Sequence, residues 1–560
     1  MPQSNPHGLN PVFKLRPLKL LDLDVEHEAD TYDAYDQFLR NHPLMSDDAL
    51  PSWSKCNKRA ARVRNEGNRF FQPLDIIPAL GKYNESICHA KADSEDLGFG
   101  YANRSAVYHE MGEYEHALVN IRLAKKHNYP ERLMSKLTAR ENNCKQRLAA
   151  GQSKGIGDPC PRMNINVQTN PKIPFLAKGI HMEVLPKFGR SMMANRNFKT
   201  GDVILDEKCI LAVVDAEHRY HQCSHCTTGN AKMCSLMPCP HCVSAMYCSE
   251  KCLERDWKYV HRFECAVSDK LQYISFSYVA MGSKLFLYGL SLFNDDLDEM
   301  MRYFETLEKS GGNALDLDYT EYDPLEEWKD LCNIKPVPSS NDNFARTAAA
   351  AHCFTLLKNP VVAAIVNTPA KRTFMYQRVR DFVRLANLYK WENFQSPLCP
   401  VASLFNHSCD PNAIATIHSG QVRIIVLRPI RSGQQICVSY GPSWWDDAIG
   451  HHHCKPFNCK CVVCDPETKD NWRGRVKKPP ASFNRDVAIV GVGFLDDRAN
   501  NAVKYNAVTQ FIVQYAYLHP QRHFGVMLRT YQDILRSLTV DGELRIHRTK
   551  AHAELDMGNE

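Results

Sequence analysis

At 560 residues the chain is too long for one ordinary domain, and three or four are expected. Its net charge of +6 is small for that length and argues against a sequence-specific nucleic-acid binder, which would carry a clustered basic face. No window approaches the roughly 18 consecutive apolar residues of a membrane helix, and 1–19 lacks an apolar signal core, so the expectation is a cytoplasmic and nuclear chain with no membrane partner.

In such a reducing compartment, 22 cysteines point to metal rather than disulfides, and where they cluster becomes the question. Two short basic runs, 55–64 and 473–478, read as solvated faces, with nuclear import or an acidic partner as the alternative.

Residues 1–59 form an extension with Pro and Asp punctuation and a weak helical stretch at 32–40. From 60 to 149 short amphipathic runs alternate with turns at Asp93–Asp96 and Met111–Glu113, a helical pattern. Within it, R-N-E-G-N-R-F-F-Q from Arg64, then Ala79-Leu80, Tyr83 and Ile87, parallels N-R-S-A-V-Y-H-E-M-G-E-Y-E-H-A-L from Asn103, then Ala124. These stretches resemble two tetratricopeptide (TPR) repeats, with Gly67 and Ser105 in the first helices and Ala79 and Ala117 in the second. The two alanines lie 38 positions apart, where the repeat has about 34, so an enlarged turn is expected between the repeats. A third layer is expected at Leu133–Leu148. Arg64, Asn68 and Asn103, with cations from Arg132, Lys136 and Arg140, resemble the carboxylate clamp of chaperone-binding TPR proteins. That implies the C-terminal tail of a heat-shock chaperone as partner. The alternative is that this face packs on the chain's own C-terminal helices.

A Gly/Pro-rich linker covers 150–174. In 175–222, Ile180–Val184, Val203–Asp206 and Ile210–Val214 read as short strands. The segment 223–265 carries Cys223-x2-Cys226, Cys239-x2-Cys242, Cys248-x3-Cys252 and His261-x3-Cys265. Eight ligands in four pairs suffice for two tetrahedral zinc ions. The i, i+4 pairs point both ligands from one helical face. The spacing resembles the MYND zinc finger, which implies interleaved sites: Cys223, Cys226, Cys248 and Cys252 for one ion, Cys239, Cys242, His261 and Cys265 for the other. Cys234 is left as a free thiol.

A mostly helical stretch follows at 266–395. Strand-like runs return within 396–444 at Ile414–Ile417, Val422–Pro429 and Gln435–Ser439, and a second cysteine cluster occupies 445–466. The tail, 467–560, shows helical patterns at Ala502–Tyr517 and Phe524–Leu538.

Ser403 to Asn412 reads S-L-F-N-H-S-C-D-P-N, followed by Val438-Ser-Tyr-Gly441 and then Phe457-Asn-Cys459-Lys-Cys461-Val-Val-Cys464. This closely resembles the C-terminal half of a SET domain with its post-SET CxCxxC. Phe188-Gly189-Arg190 and Gly201–Asp206 would be the N-terminal half. With the finger and repeats, the chain resembles the TPR-bearing branch of the SET and MYND domain-containing (SMYD) protein-lysine methyltransferases over most of 60–465. The fold class implied is a multidomain α+β protein: a β-rich SET core split by a MYND finger and a helical insert, with N-terminal TPR helices and a C-terminal helical region.

The resemblance implies S-adenosylmethionine as cofactor and in-line methyl transfer to a lysine of a protein substrate. Asn406 and His407 would hold the cofactor in a knot-like turn, Phe457 would pack on its adenine, and backbone groups of Phe188, Gly189 and Arg190 would meet its methionine and ribose end. Tyr440, at the cofactor, would be the catalytic residue, placed beside the departing methyl. Cys409, Cys459, Cys461 and Cys464 would take another zinc, for about three ions in all. The family's first cofactor motif has a second glycine where Ser191 stands, and an asparagine segment is expected ahead of Asn406, for which Asn387 and Asn393 are candidates. His451–His453 reads as an exposed loop. Methyl transfer needs orientation above all. The target lysine must also shed its proton, which from a pKa near 10.4 costs about 4–5 kcal/mol at neutral pH. The alternative function is a weak or inactive adaptor that recruits partners through its finger and repeats.

Overall fold

The computed structural model describes residues 31–42, 45, 54–152, 164–229, 236–274, 277–307, 311–334, 342–388, 395–441, 443–445, 459–495 and 501–539. Helix α1 (Tyr32–Asn41) stands where the weak periodicity placed it. Five helices follow as a linked array: α2 (Asn57–Phe71), α3 (Ile76–His89), α4 (Glu95–Glu110), α5 (Tyr114–Lys126) and α6 (Met134–Ala149). Ser94 starts α4 by accepting the Leu97 N–H, which satisfies one orphan donor of the first turn. Ala79 and Ala117 each occupy the fourth position of their helix and are fully buried, so the two hairpins share one register. At Gly67 on α2 an added Cβ would lie 2.7 Å from the Tyr83 ring on α3, which explains the small residue.

Strands β1 (Ile180–Leu185) and β2 (Gly189–Ala194) form an antiparallel hairpin, then β3 (Val203–Lys208) and β4 (Leu211–Val214) follow. The cysteine-rich segment contributes a two-residue hairpin, β5 (Met237–Pro238) and β6 (Met246–Tyr247), then α7 (Glu250–Asp256) and α8 (Arg262–Glu264). The helical array packs on this module. Arg104, fully buried on α4, donates to Asn120 Oδ1 (2.6 Å), Asn84 Oδ1 (2.7 Å) and the Leu236 carbonyl (2.9 Å). Asn84 in turn donates to the Tyr220 carbonyl at 2.9 Å. A buried cation held this way links two regions more than 100 positions apart.

The insert holds α9 (Ser268–Ile274), α10 (Ser277–Leu292), α11 (Leu297–Thr306), α12 (Pro324–Cys332), α13 (Asp342–Leu356), α14 (Pro360–Ile365) and α15 (Pro369–Leu388). Its core is apolar around α10, where Trp328 is fully buried and donates its indole N–H to the Leu285 carbonyl at 3.0 Å. Gly289 admits that indole, since an added Cβ would stand 2.2 Å from it. Helix α1 docks here, with Tyr32 and Tyr35 buried against Tyr376.

The stretch expected to stay helical to 395 ends in a strand, β7 (Gln395–Leu398), which pairs with β4. Next come β8 (Asn406–His407), β9 (Ala413–His418), β10 (Gln421–Val426) and β11 (Cys437–Val438). Strand β10 lies between β9 and β3, so a sheet forms from strands separated by the whole cysteine module and insert. The run Gln435–Ser439 gives only the two-residue β11, because its partner β8 is equally short. Last come α16 (Lys469–Arg473), α17 (Ala481–Leu495), α18 (Asn501–Tyr515) and α19 (Arg522–Thr539). Residues of α18 and α19 such as Phe511, Leu528 and Tyr531 share one buried cluster with Ile414, Ile425 and Leu427 of the sheet region. Helix α17, rich in β-branched residues and glycine, carries no clean periodicity and was not expected. No helix among the described residues is long and apolar enough to cross a membrane.

Candidate active site and metal centres

Strands β8 and β11 run parallel, with Asn406 opposite Cys437 and His407 opposite Val438. That pairing threads two distant segments past each other. The Asn406 side-chain amide reaches β2, donating to the Arg190 carbonyl (2.7 Å) and the Ser191 hydroxyl (3.1 Å), and at 3.4 Å to the Phe188 carbonyl. Ser191, where a glycine was expected, is buried and donates to the Gly189 carbonyl at 3.1 Å. The hydroxyl thus becomes part of the junction.

His407 Nδ1 accepts the Tyr440 backbone N–H at 2.9 Å, so its remaining ring proton lies on Nε2, 3.3 Å from Cys409 Sγ. Burial lowers its pKa, consistent with a neutral ring. The Tyr440 hydroxyl donates to the Phe405 carbonyl at 2.8 Å, and burial pushes its pKa up to about 12. At neutral pH this group is a hydroxyl, a donor and acceptor rather than a phenolate base. Tyr440 is 40% exposed and Phe188 38% exposed, so both aromatics reach the surface. Gly189 has φ +66°, and no atom lies within 4 Å of where its Cβ would be. The backbone there is open to an approaching ligand. Lys187 pairs with Asp465, which brings the Phe188 segment to the second cysteine cluster.

Phe457, Cys234, Asn393 and His451–His453 lie outside the described residues, as does the side chain of Asn387.

The twelve expected metal ligands assemble into three groups of four: Cys223, Cys226, Cys248, Cys252; Cys239, Cys242, His261, Cys265; and Cys409, Cys459, Cys461, Cys464. Within each group all ligand atoms lie within 4.8 Å of one another. Cys226–Cys248 is 3.6 Å, Cys239–Cys265 3.9 Å, Cys242 to His261 Nε2 3.5 Å and Cys409–Cys464 3.5 Å. A zinc tetrahedron with Zn–S near 2.3 Å has an edge of about 3.8 Å, so the spacing fits the ion. Hydrogen bonds from neighbouring thiols lower Cys226, Cys239 and Cys461, while Cys223 and Cys265 are held up. Thiols this close ionise together only around a cation. One local expectation changes. His261 and Cys265 lie on a continuous helical run, but Cys248 precedes α7 and its cap Ser249, so its i, i+4 relation to Cys252 is not a helical face.

A family model described as SET domain matches residues 189–441. Protein-lysine N-methyltransferase SMYD4 of Danio rerio is 27% identical over 235 residues, 39% of this chain and 31% of that protein. SMYD4 of Mus musculus is 22% identical over 548 residues, 74% of this chain and 68% of that protein. N-lysine methyltransferase SMYD2 of Gallus gallus is 24% identical over 324 residues, 55% and 66% of the two chains.

The chain carries a SET domain and is similar to SMYD proteins.

Two polar centres of the SET domain escaped sequence reasoning. Asp410, next to Cys409, is buried and accepts from Trp444 Nε1 (3.0 Å), Trp472 Nε1 (3.0 Å) and His519 Nε2 (2.7 Å), with Arg428 at 3.4 Å. It joins the C-terminal helices to the segment after the β8 turn. Glu207 of β3 is buried and accepts the backbone N–H groups of Val401 (3.1 Å) and Ala402 (2.7 Å), placing the approach to Asn406. Only the acidic residue type in an apolar stretch hinted at Glu207, and only D-P-N after Cys409 hinted at Asp410.

Proposed function

We propose that this chain is an S-adenosylmethionine-dependent protein-lysine N-methyltransferase of the SMYD type. One observation carries the reading. Asn406, His407 and Tyr440 meet residues 188–191 at a single open junction. Curated relatives in the family bear protein-lysine methyltransferase names. When bound, the cofactor supplies an electrophilic methyl on a sulfonium. Asn406 fixes the carbonyl of Arg190, and His407 fixes the backbone of Tyr440, so the cradle is built before any ligand arrives. Phe188, Gly189 and Arg190 would present backbone to the cofactor, and Phe457 would pack on its adenine. Tyr440, kept neutral, aligns the amine by accepting its hydrogen bond while its own hydroxyl proton is donated in a hydrogen bond to the Phe405 carbonyl. Desolvation of the channel assists the loss of the lysine proton. In the same reading the three ligand groups hold three zinc ions, the first two in a MYND finger, and the protein works in cytoplasm and nucleus.

Tyr440→Phe tests the role. Methyl transfer should fall at least about 100-fold, the loss typical of one aligned polar group, while cofactor binding by calorimetry stays nearly intact. A wild-type chain that binds no S-adenosylmethionine would leave the adaptor reading instead.

For the repeats we keep a chaperone tail as partner, on the meeting of Asn68 and Asn103 beside Arg140. Asn103 donates to Asn68 Oδ1 at 2.8 Å, and Arg140 donates to the Ala102 carbonyl (3.0 Å) and Ser105 Oγ (2.9 Å). Arg64 pairs with Asp96 at 3.4 Å and stacks on Phe99. A peptide ending Glu-Glu-Val-Asp should bind and its amidated form should not; equal behaviour makes the repeats scaffold.

A further inference from the structure

A cavity of about 80 Å³ lies between the cysteine module, β4 and the helices α9, α10 and α13, lined by none of the residues of the junction described above. Its polar wall holds three carboxylates, Asp215, Asp256 and Glu264, against one ammonium, Lys284. Lys284 is committed to Glu264, 3.3 Å away, and its pKa is raised, because burial works against the charge but Glu264 and Asp256 more than offset it. Asp256 accepts the Tyr247 hydroxyl at 2.8 Å. His352 is buried and its pKa is lowered to about 3, so it brings no charge.

Asp215 is different. It is half-buried, and among the described residues no cation pairs with it. Burial raises its pKa to about 6, which leaves most molecules ionised at neutral pH. Ser244 adds a second sign of a missing ligand. Its side chain is 1% exposed, and among the described residues none hydrogen-bonds its Oγ. Val214, Ala245, Leu271 and Ala280 supply the apolar part of the wall, and neutral polar side chains such as Ser268, Gln272 and Ser277 complete it. An aliphatic slot with an unneutralised carboxylate fits a molecule that is apolar along its stem and cationic at its end.

We propose that this cavity is a binding site for an alkyl cation, an alkylammonium or alkylguanidinium group, with Asp215 as counter-ion, Ser244 as hydrogen-bond partner and Leu271 and Ala280 flanking the stem. A lysine or arginine side chain of a protein partner and a small free amine both carry this chemistry. The site stands apart from Tyr440, and the inference does not rest on methyl transfer.

Ligand-observed NMR on the full zinc-loaded chain tests it, with agmatine as probe and neutral n-butanol as control. Agmatine should bind saturably and n-butanol should not. Asp215→Asn should weaken agmatine about tenfold or more, the effect of losing one charged hydrogen-bond partner, and Leu271→Trp should fill the slot and abolish binding. An acetyl-Gly-Arg-Gly-amide peptide that displaces agmatine supports a protein-borne side chain. One that fails to displace it supports a free amine. No saturable agmatine binding, equal binding of n-butanol, or a folded Asp215→Asn variant with unchanged affinity overturns the proposal. Should Asp215→Asn not fold, undiminished binding by Leu271→Trp overturns it equally.

Discussion

The two cysteine regions solve the same problem by opposite means. In 223–265 all eight ligands come from one continuous stretch, paired on short hairpins and helical turns. In the second region Cys409 and Cys464 stand 55 positions apart and meet across the tertiary fold, next to the parallel pair of β8 and β11. The first group is therefore a local unit that other parts dock onto, and the helical repeats do so through Arg104. The second is a clasp that exists only once the β core has closed. Local ligand spacing builds a module, whereas a ligand set split across the chain reports on the tertiary fold.

The largest effect expected sharpens this contrast. Metal analysis of the intact chain should find three zinc ions. Cys239→Ser should lose at least one, and with it the docking of the repeats, because structural zinc binding contributes roughly 10–16 kcal/mol of folding free energy in small modules. Cys461→Ser should lose one ion and weaken cofactor binding, yet leave the repeats protected from proteolysis. Equal loss of protection in both variants would erase the distinction.

A smaller effect is expected at the docking joint. Arg104→Leu strands Asn84, Asn120 and the Leu236 carbonyl without their shared donor and should destabilise by about 3 kcal/mol in urea unfolding. Zinc content should not change. A loss of zinc in this variant would show that the repeats hold the module together rather than rest on it.

The last concerns Glu207 in the β core. Burial raises its pKa from 4.5 to about 8, so between those values the folded state holds a proton that the unfolded state has released. Its contribution is complete below pH about 4.5 and is lost as pH rises through about 8, a change of a few kcal/mol. Glu207→Gln should flatten this slope in chemical unfolding measured from pH 5 to 8. An unchanged slope would assign the pH dependence elsewhere.

Much of the molecule was legible in its residues. The cysteine spacings, the string from Ser403 to Asn412 and the small residues at Gly67, Ala79, Ser105 and Ala117 each place a neighbour a fixed few positions away, and periodicity reads such relations directly. The β core was harder. Strand β2 is hidden behind the turn at Gly189, β7 closes a helical insert, and β8 and β11 are too short to leave an alternating pattern. Sequence by itself marked the Cys and His groups that assemble, the paired helices and the residues that meet at the junction. Tertiary structure alone decided that Ser191 joins Asn406, that Asp410 gathers Trp444, Trp472 and His519, and that Asp215 lines a cavity with no cation paired to it among the described residues. These depend on burial and on contacts between distant segments, and a buried carboxylate looks like any other until its surroundings are known.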